Sequence, residues 1–127
     1  MYMHRITRYR EGQMNYPKEL IKGTTKNLIL AVLFKGEMYG YQIVKEIDRQ
    51  SRGRLEFGEG SMYPALHALE QDGLLKSRWA AQEGRPDRKY YQLTDSGVRE
   101  LQANVKVWKD FTEAVGEVLI SAAPASI

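Results

Sequence analysis

Val98, Leu101, Val105, Trp108, Thr112, Val115 and Leu119 follow one another at intervals of 3, 4, 3, 4, 3 and 4 residues, and only Thr112 is off type. An apolar repeat of seven residues, held over about three heptads, keeps one seam of a helix turned toward a partner helix. Phe111 and Val118 widen that seam. Thr94-Asp95-Ser96-Gly97 is a helix-start signal with Thr94 as the cap, so the spacing predicts one helix over residues 95–120. At roughly 37 Å such a helix is longer than a small domain covers alone. Homodimerisation through the last helix is therefore expected; the competing outcome is that this helix folds back on its own domain. Residues 121–127, with Pro124, are expected to form a frayed tail.

The rest of the chain excludes more than it offers as chemistry. With 127 residues, 43% of them hydrophobic, a single globular domain is expected. No apolar run approaches the ~18 residues of a membrane span, and the N-terminal stretch lacks the apolar core of a secretory signal, so a cytoplasmic location is expected. There is no cysteine, hence no disulfide and no thiolate zinc site, and His4 and His67 supply a metal poorly. No phosphate-cradling GxxxxGK[ST], no HExxH and no credible Ser/His/Asp order is present, so neither an enzyme nor a cofactor is expected. Charge, by contrast, is divided. Residues 1–94 hold 16 Lys and Arg against 11 Asp and Glu, while residues 95–127 hold 3 against 5. The basic part suits a phosphate backbone, and the acidic part is left for another task.

Along the chain, residues 1–17 read as a mobile basic arm carrying Arg5, Arg8 and Arg10, followed by a domain over residues 18–94. Leu28 to Phe34 form a buried helix closed by Lys35-Gly36. A second helix follows Tyr39-Gly40, with Ile43, Val44 and Ile47 on one stripe, and ends near Arg52-Gly53. After an extended Leu55-Glu56-Phe57, a third helix begins with Ser61 as N-cap and Pro64 in its first turn; Met62, Ala65, Leu66 and Leu69 make its core stripe. From Leu75 the period falls to two. Leu75, Ser77 and Trp79 alternate with Lys76 and Arg78, Ala80 to Asp87 form a charged loop, and Arg88 to Leu93 return with Tyr91 and Leu93 inward. Trp79 is expected in the core.

The fold class expected is thus mainly α with a small β-hairpin: a winged helix-turn-helix plus a long C-terminal dimerisation helix. In that architecture the third helix lies in the major groove and the hairpin reaches the flanking backbone or minor groove. Ser61, Tyr63 and His67 lie off the core stripe, free to face phosphate or base edges, and Arg85, Arg88 and Lys89 bracket Gly84 and Pro86 at the wing. His67 reads as a DNA-side residue and not as a metal ligand. A winged-helix module that binds another protein and no DNA is the alternative function.

Four ordered blocks make a family resemblance specific: Tyr39-Gly40-Tyr41-Gln42-Ile43, Gly60-Ser61-Met62-Tyr63-Pro64-Ala65-Leu66, Leu69-Glu70-Gln71-Asp72-Gly73-Leu74-Leu75, and Arg88-Lys89-Tyr90-Tyr91-Gln92-Leu93-Thr94-Asp95-Ser96-Gly97. The chain resembles, over roughly residues 22–120, the PadR family of bacterial transcriptional regulators, in its short form with one helix after the wing. The resemblance implies a homodimeric repressor on a palindromic double-stranded operator, released by a small molecule or a stress signal. It maps Ser61, Tyr63 and Pro64 to the start of the recognition helix, Tyr39 to the turn before the second helix, and Arg85, Arg88 and Lys89 to the wing, with Lys22 and Lys26 flanking the first helix. In members similar to multidrug-responsive repressors, a tryptophan of the last helix stacks on planar hydrophobic effectors between subunits. Trp108 matches that position, where it either packs the seam or meets a ligand. The basic N-terminal arm departs from the family pattern.

Overall fold

The computed structural model describes residues 9–10, 13–14 and 16–122. Arg5 and Arg8 of the expected arm, and residues 123–127 of the expected tail, lie outside them. Strands β1 (Tyr9–Arg10) and β2 (Gln13–Met14) pair antiparallel. They are followed by α1 (Lys18–Lys22), α2 (Thr25–Leu33), β3 (Met38–Tyr39), α3 (Gly40–Gln50), α4 (Glu59–Gln71), β4 (Leu75–Gln82), β5 (Arg85–Leu93) and α5 (Asp95–Ala122). Among the described residues no helix is long and apolar enough to cross a membrane.

The core is built where the apolar stripes of three helices meet. Ile29, Leu30, Val32 and Leu33 of α2, Ile43 and Ile47 of α3, and Met62, Leu66 and Leu69 of α4 are all buried. Leu75 and Tyr91 close this core from the sheet, and Leu101 closes it from α5. The stripes read for the second and third of the expected helices are therefore the inward ones, with Val44 and Ala65 partly buried, whereas the Leu28 to Phe34 run is buried only in part: Ala31 is exposed, and Phe34, just past the end of α2, is 60% exposed. In α4 the stripe at i, i+4 and i+7 faces inward, which leaves Ser61, Tyr63, Pro64 and His67 exposed.

Several boundaries differ from the sequence reading. The sheet has three strands in the order β3-β5-β4, because Met38 and Tyr39 pair with Tyr91 and Tyr90 beside the hairpin. Two residues are too few to show a period, so this strand left no pattern; the five-residue α1 escaped for the same reason. Ser61 is not the N-cap of α4. That place belongs to Gly58, in extended conformation, whose carbonyl accepts from the Met62 N–H at 3.1 Å and the Ser61 N–H at 3.3 Å. Pro64 consequently lies beyond the first turn, on the exposed side, and brings no N–H to the Gly60 carbonyl four residues back. The expected loop over Ala80 to Asp87 is mostly strand. The hairpin turns at Glu83-Gly84, and the register moves from Ala80 opposite Arg88 to Gln82 opposite Arg85. Pro86 and Asp87 together face Ala81 there, a bulge that tolerates a residue without an N–H.

Helix α5 has two halves. Its first turn is fixed by Thr94, whose backbone N–H donates to the Leu74 carbonyl (3.1 Å), whose hydroxyl donates to the Gly73 carbonyl (2.7 Å), and whose hydroxyl oxygen accepts from the Gly97 N–H (3.0 Å). Leu101 is buried and Val98 half-buried against the chain's own domain, so the N-terminal end of the heptad seam is an internal contact. Beyond Asn104 the helix projects, with Val105, Trp108, Phe111, Val115 and Leu119 between 38% and 64% exposed. Thr112 turns its hydroxyl back to donate to the Trp108 carbonyl at 2.9 Å, which removes a polar group from an otherwise apolar seam.

Candidate nucleic-acid interface

Helix α4 and the wing formed by β4 and β5 flank a cleft of about 550 Å3, lined by Tyr39, Gly40 and Tyr63 on one side and Trp79, Gln82, Arg85, Pro86, Asp87, Arg88, Lys89 and Tyr91 on the other. Five of the expected site residues, Tyr39, Tyr63, Arg85, Arg88 and Lys89, thus share one concavity. Ser61, Pro64 and His67 are exposed on the same helix as Tyr63. Lys22 and Lys26 are exposed at the α1–α2 junction and do not line the cleft.

Each aromatic is held by a local cause. A Cβ added to Gly40 would stand 3.0 Å from the Tyr63 ring, so the glycine in Tyr39-Gly40-Tyr41 makes room for a ring of α4. Tyr39 precedes α3 in extended conformation, and its N–H donates to the Gln42 side-chain oxygen at 3.1 Å. Alternation along β5 then splits the wing's cations between faces. Arg88 lies 3.9 Å over the Tyr39 ring, and Tyr39 meets Tyr90 edge-on at 5.6 Å. Arg78 lies 4.9 Å over Tyr90 and pairs with Glu37, whose carboxyl is held below its ordinary pKa by the hydrogen bond from that guanidinium.

Lys89 points the other way. Its ammonium is 3.2 Å from a Glu70 carboxylate oxygen on α4, beside the rings of Tyr91 (5.2 Å) and Trp79 (5.8 Å). The other Glu70 oxygen accepts from the Ser77 hydroxyl of β4. Burial is the largest single influence on Lys89 and works against its charge, but the hydrogen bond and attraction to Glu70 together with the Tyr91 hydroxyl outweigh it, and the pKa is raised. Glu70 is lowered, mainly by the Ser77 hydroxyl and further by Lys89, against the opposing effect of burial. Lys89 therefore ties the wing to α4 instead of presenting a free charge as Arg85 does.

Sequence reasoning missed two members of this region. Glu70 carried no signal, because a lone carboxylate near a helix end is ordinary. Trp79 was placed in the core and is instead 65% exposed. Period two assigned its face correctly, but Leu75 on β4 and Tyr91, opposite Ser77, are the last buried residues on that face and Ser77 already bonds a carboxylate, so the core ends before Trp79. The polar Ser77 in the alternating run was the available clue.

A second concavity lies at the opposite element pair. A groove of about 580 Å3 is lined by Leu20, Ile21, Leu28, Leu55, Val105 and Trp108 among other residues. Asn27 and Asn104 lie at this wall, the Asn104 amide donating to the Asn27 oxygen at 2.7 Å. Trp108 and Phe111 are tilted neighbours with centroids 6.3 Å apart. Among the described residues no three His, Asp or Glu side chains gather as metal ligands.

Comparison with known proteins agrees with this architecture. The chain is 34% identical over 76 residues to the Negative transcriptional regulator PadR of Bacillus subtilis, a match that covers 60% of this chain and 42% of that protein. A crystal structure of a PadR family transcriptional regulator from Eggerthella lenta superposes with a TM-score of 0.71 at 35% identity, covering 80% of this chain and 86% of that one. The structure of Bacillus subtilis PadR in complex with operator DNA has a TM-score of 0.59 at 32% identity, covering 63% of this chain and 45% of that one. Residues 29–103, from the buried run of α2 to the start of the projecting helix, match the Transcriptional regulator PadR-like family. With α2, α3 and α4 packed on a three-stranded sheet that carries a two-stranded wing, and with the family's match over residues 29–103, this chain is a winged-helix member of the PadR-like family of transcriptional regulators.

Proposed function

We propose that the protein is a sequence-specific DNA-binding regulator, acting as a homodimeric repressor on a palindromic operator. The observation that carries this reading is the cleft between α4 and the wing, where exposed Tyr63 and Arg85 stand with stacked Arg88 beside a helix free to occupy a major groove. Ser61, Tyr63, Pro64 and His67 present the exposed face of α4, Arg85 and Arg88 meet backbone phosphates, and Lys22 and Lys26 add charge at the α1–α2 junction. Two such units, paired through α5, set their recognition helices about 34 Å apart, one turn of the duplex. The relative crystallised with operator DNA supports the partner class.

The test is a duplex selected from a random-sequence pool by the purified protein, followed by titration at several salt concentrations. A steep linear fall of log K with log salt is expected, at about 0.9 per phosphate neutralised. Tyr63→Ala and Arg88→Ala should each weaken binding by about 1–3 kcal/mol without unfolding the protein, and only Arg88→Ala should flatten the salt dependence, by about one. Failure to enrich any duplex rejects the reading in favour of a protein-binding module.

The groove at Trp108 is the proposed effector site for a planar hydrophobic molecule. A ligand wedged there changes the angle at which α5 leaves the domain, and with it the separation of the recognition helices. A difference of about 2–4 kcal/mol between the two separations suffices to empty an operator. Planar hydrophobic compounds should quench tryptophan emission in the wild type and lose most of that effect in Trp108→Ala; quenching that survives places the site elsewhere.

A further inference from the structure

Trp79 is 65% exposed on a face whose contribution to the core ends before it: Leu75 and Tyr91 are the sheet's buried residues, and Ser77 is committed to Glu70. It occupies the position on β4 opposite Lys89, short of the hairpin tip at Glu83-Gly84 and on the sheet face turned toward α4. The indole therefore lies between the two parts of the molecule assigned to DNA, the helix in the major groove and the wing tip beyond it. What runs between a major groove and the next groove is one sugar-phosphate strand. An indole has a single donor, Nε1–H, for a phosphate oxygen, while most of its surface is a flat apolar face that matches a deoxyribose ring, whose carbons are the apolar part of that strand. The flanking charge matches as well. Arg85 is exposed at the wing and free to reach the phosphates on either side, while Lys89, held 3.2 Å from Glu70, stands 5.8 Å from the indole centroid and still leaves Trp79 65% exposed.

We infer that Trp79 is a DNA-contacting residue of this regulator, packing its ring on deoxyriboses of the backbone strand that separates the groove read by α4 from the groove reached by the wing. The inference rests on the DNA-binding reading and adds to it an uncharged contact that fixes the angle between recognition helix and wing on the duplex. Because the contact is apolar, its loss has a signature no cation shares: affinity falls while the salt dependence keeps its slope.

Wild type, Trp79→Ala and Trp79→Phe are to be titrated against the duplex selected from the random pool, at several salt concentrations, with hydroxyl-radical footprinting at saturation. Hydroxyl radicals attack deoxyribose and so report the proposed contact directly. Trp79→Ala is expected to bind about thirty- to seventyfold more weakly, which is what hiding about half of an indole's ~200 Å2 contributes at roughly 20–25 cal/mol per Å2. Its salt slope should equal that of the wild type, and sugars flanking the α4 contact should lose protection. Trp79→Phe should retain most of the affinity and the footprint. Thermal unfolding of the free variants should match the wild type, since an exposed ring leaves no cavity. Equal affinity and an unchanged footprint for Trp79→Ala overturn the inference and leave the DNA-binding reading standing; a weaker Trp79→Ala that sediments as a monomer also overturns it, because the loss then belongs to pairing and not to a DNA contact. If the wild type selects no duplex, the functional reading fails before the variants are compared.

Discussion

Glu70 shows how one carboxylate decides the geometry of a site it does not line. It stands on α4, yet its two oxygens take a hydroxyl from β4 and an ammonium from β5, so helix and wing meet through a single side chain. Glu70→Gln keeps the shape and removes the charge. At about 29% exposure the pair is screened, and a loss of about 1 kcal/mol, or roughly 4 °C in Tm, is expected. The sign with pH follows from both partners. Glu70 is lowered below 4.5, so its contribution is present above that pH and disappears as pH falls through the folded value. Lys89 is raised above 10.5, so its contribution is present below that pH and disappears as pH rises through its folded value. The difference in Tm between wild type and Glu70→Gln should stay flat from about pH 6 to about pH 9 and close in acid. A difference independent of pH down to the acid limit would mean that shape and not charge holds the strut. Glu46 provides a contrast: Arg49 and Gln50 lower it to about 2, but both hydrogen-bond partners stand on the same helix, so these bonds join no second element.

At the scale of elements, the joint between the sheet and α5 is tighter than any other glycine site among the described residues. A Cβ on Gly97 would drive into the Leu74 carbonyl oxygen, which already accepts from the Thr94 N–H, and would press on Leu93 at 3.3 Å. Helix propensity alone favours Gly97→Ala by about 1 kcal/mol. The clash opposes it with backbone on one side and a core-facing leucine on the other, and a net loss of at least about 2 kcal/mol, or roughly 8 °C, is expected in thermal melts. A stabilised Gly97→Ala would show that the joint can open. Thr94-Asp95-Ser96-Gly97 was legible in the sequence as a helix start because a capping side chain is a local signal; the crowding that requires Gly97 was not, because its neighbour comes from the turn before β4. The same division runs through the molecule. Stripes on α3 and α4 announced the core because burial repeats with the helix. The two residues of β3, the cap at Gly58 and the exposure of Trp79 depend on what lies across the fold, and composition or period cannot carry that. The candidate site was legible in its residue types and in part in its placement: Tyr63, Arg85, Arg88 and Lys89 line one cleft, whereas the pairing of Lys89 with a carboxylate nineteen positions away was not legible.

For the whole molecule the consequence of a 28-residue final helix is leverage. At 1.5 Å per residue it extends about 42 Å, and only its first two turns have buried partners in the chain's own domain. Val115 and Leu119 lie on the projecting part at 38% and 64% exposure, on the heptad register that a second copy of the same helix can fill, and Val118, at 69%, widens that seam. Placing a carboxylate in that seam by Leu119→Glu, or in two turns of it by Val115→Glu with Leu119→Glu, leaves the domain core untouched. Sedimentation at micromolar concentration is expected to show a dimer for the wild type and a monomer for the double variant. The DNA arithmetic then follows from linkage. Two half-sites held by one dimer bind with an effective concentration of order millimolar for the second contact, so separating the subunits should weaken operator binding by at least about a hundredfold. Binding to a single half-site should change little, because α4, the wing and the cleft between them belong to one chain. A double variant that stays dimeric would move the interface off this seam, and a monomer that keeps full operator affinity would remove pairing from the recognition of DNA altogether.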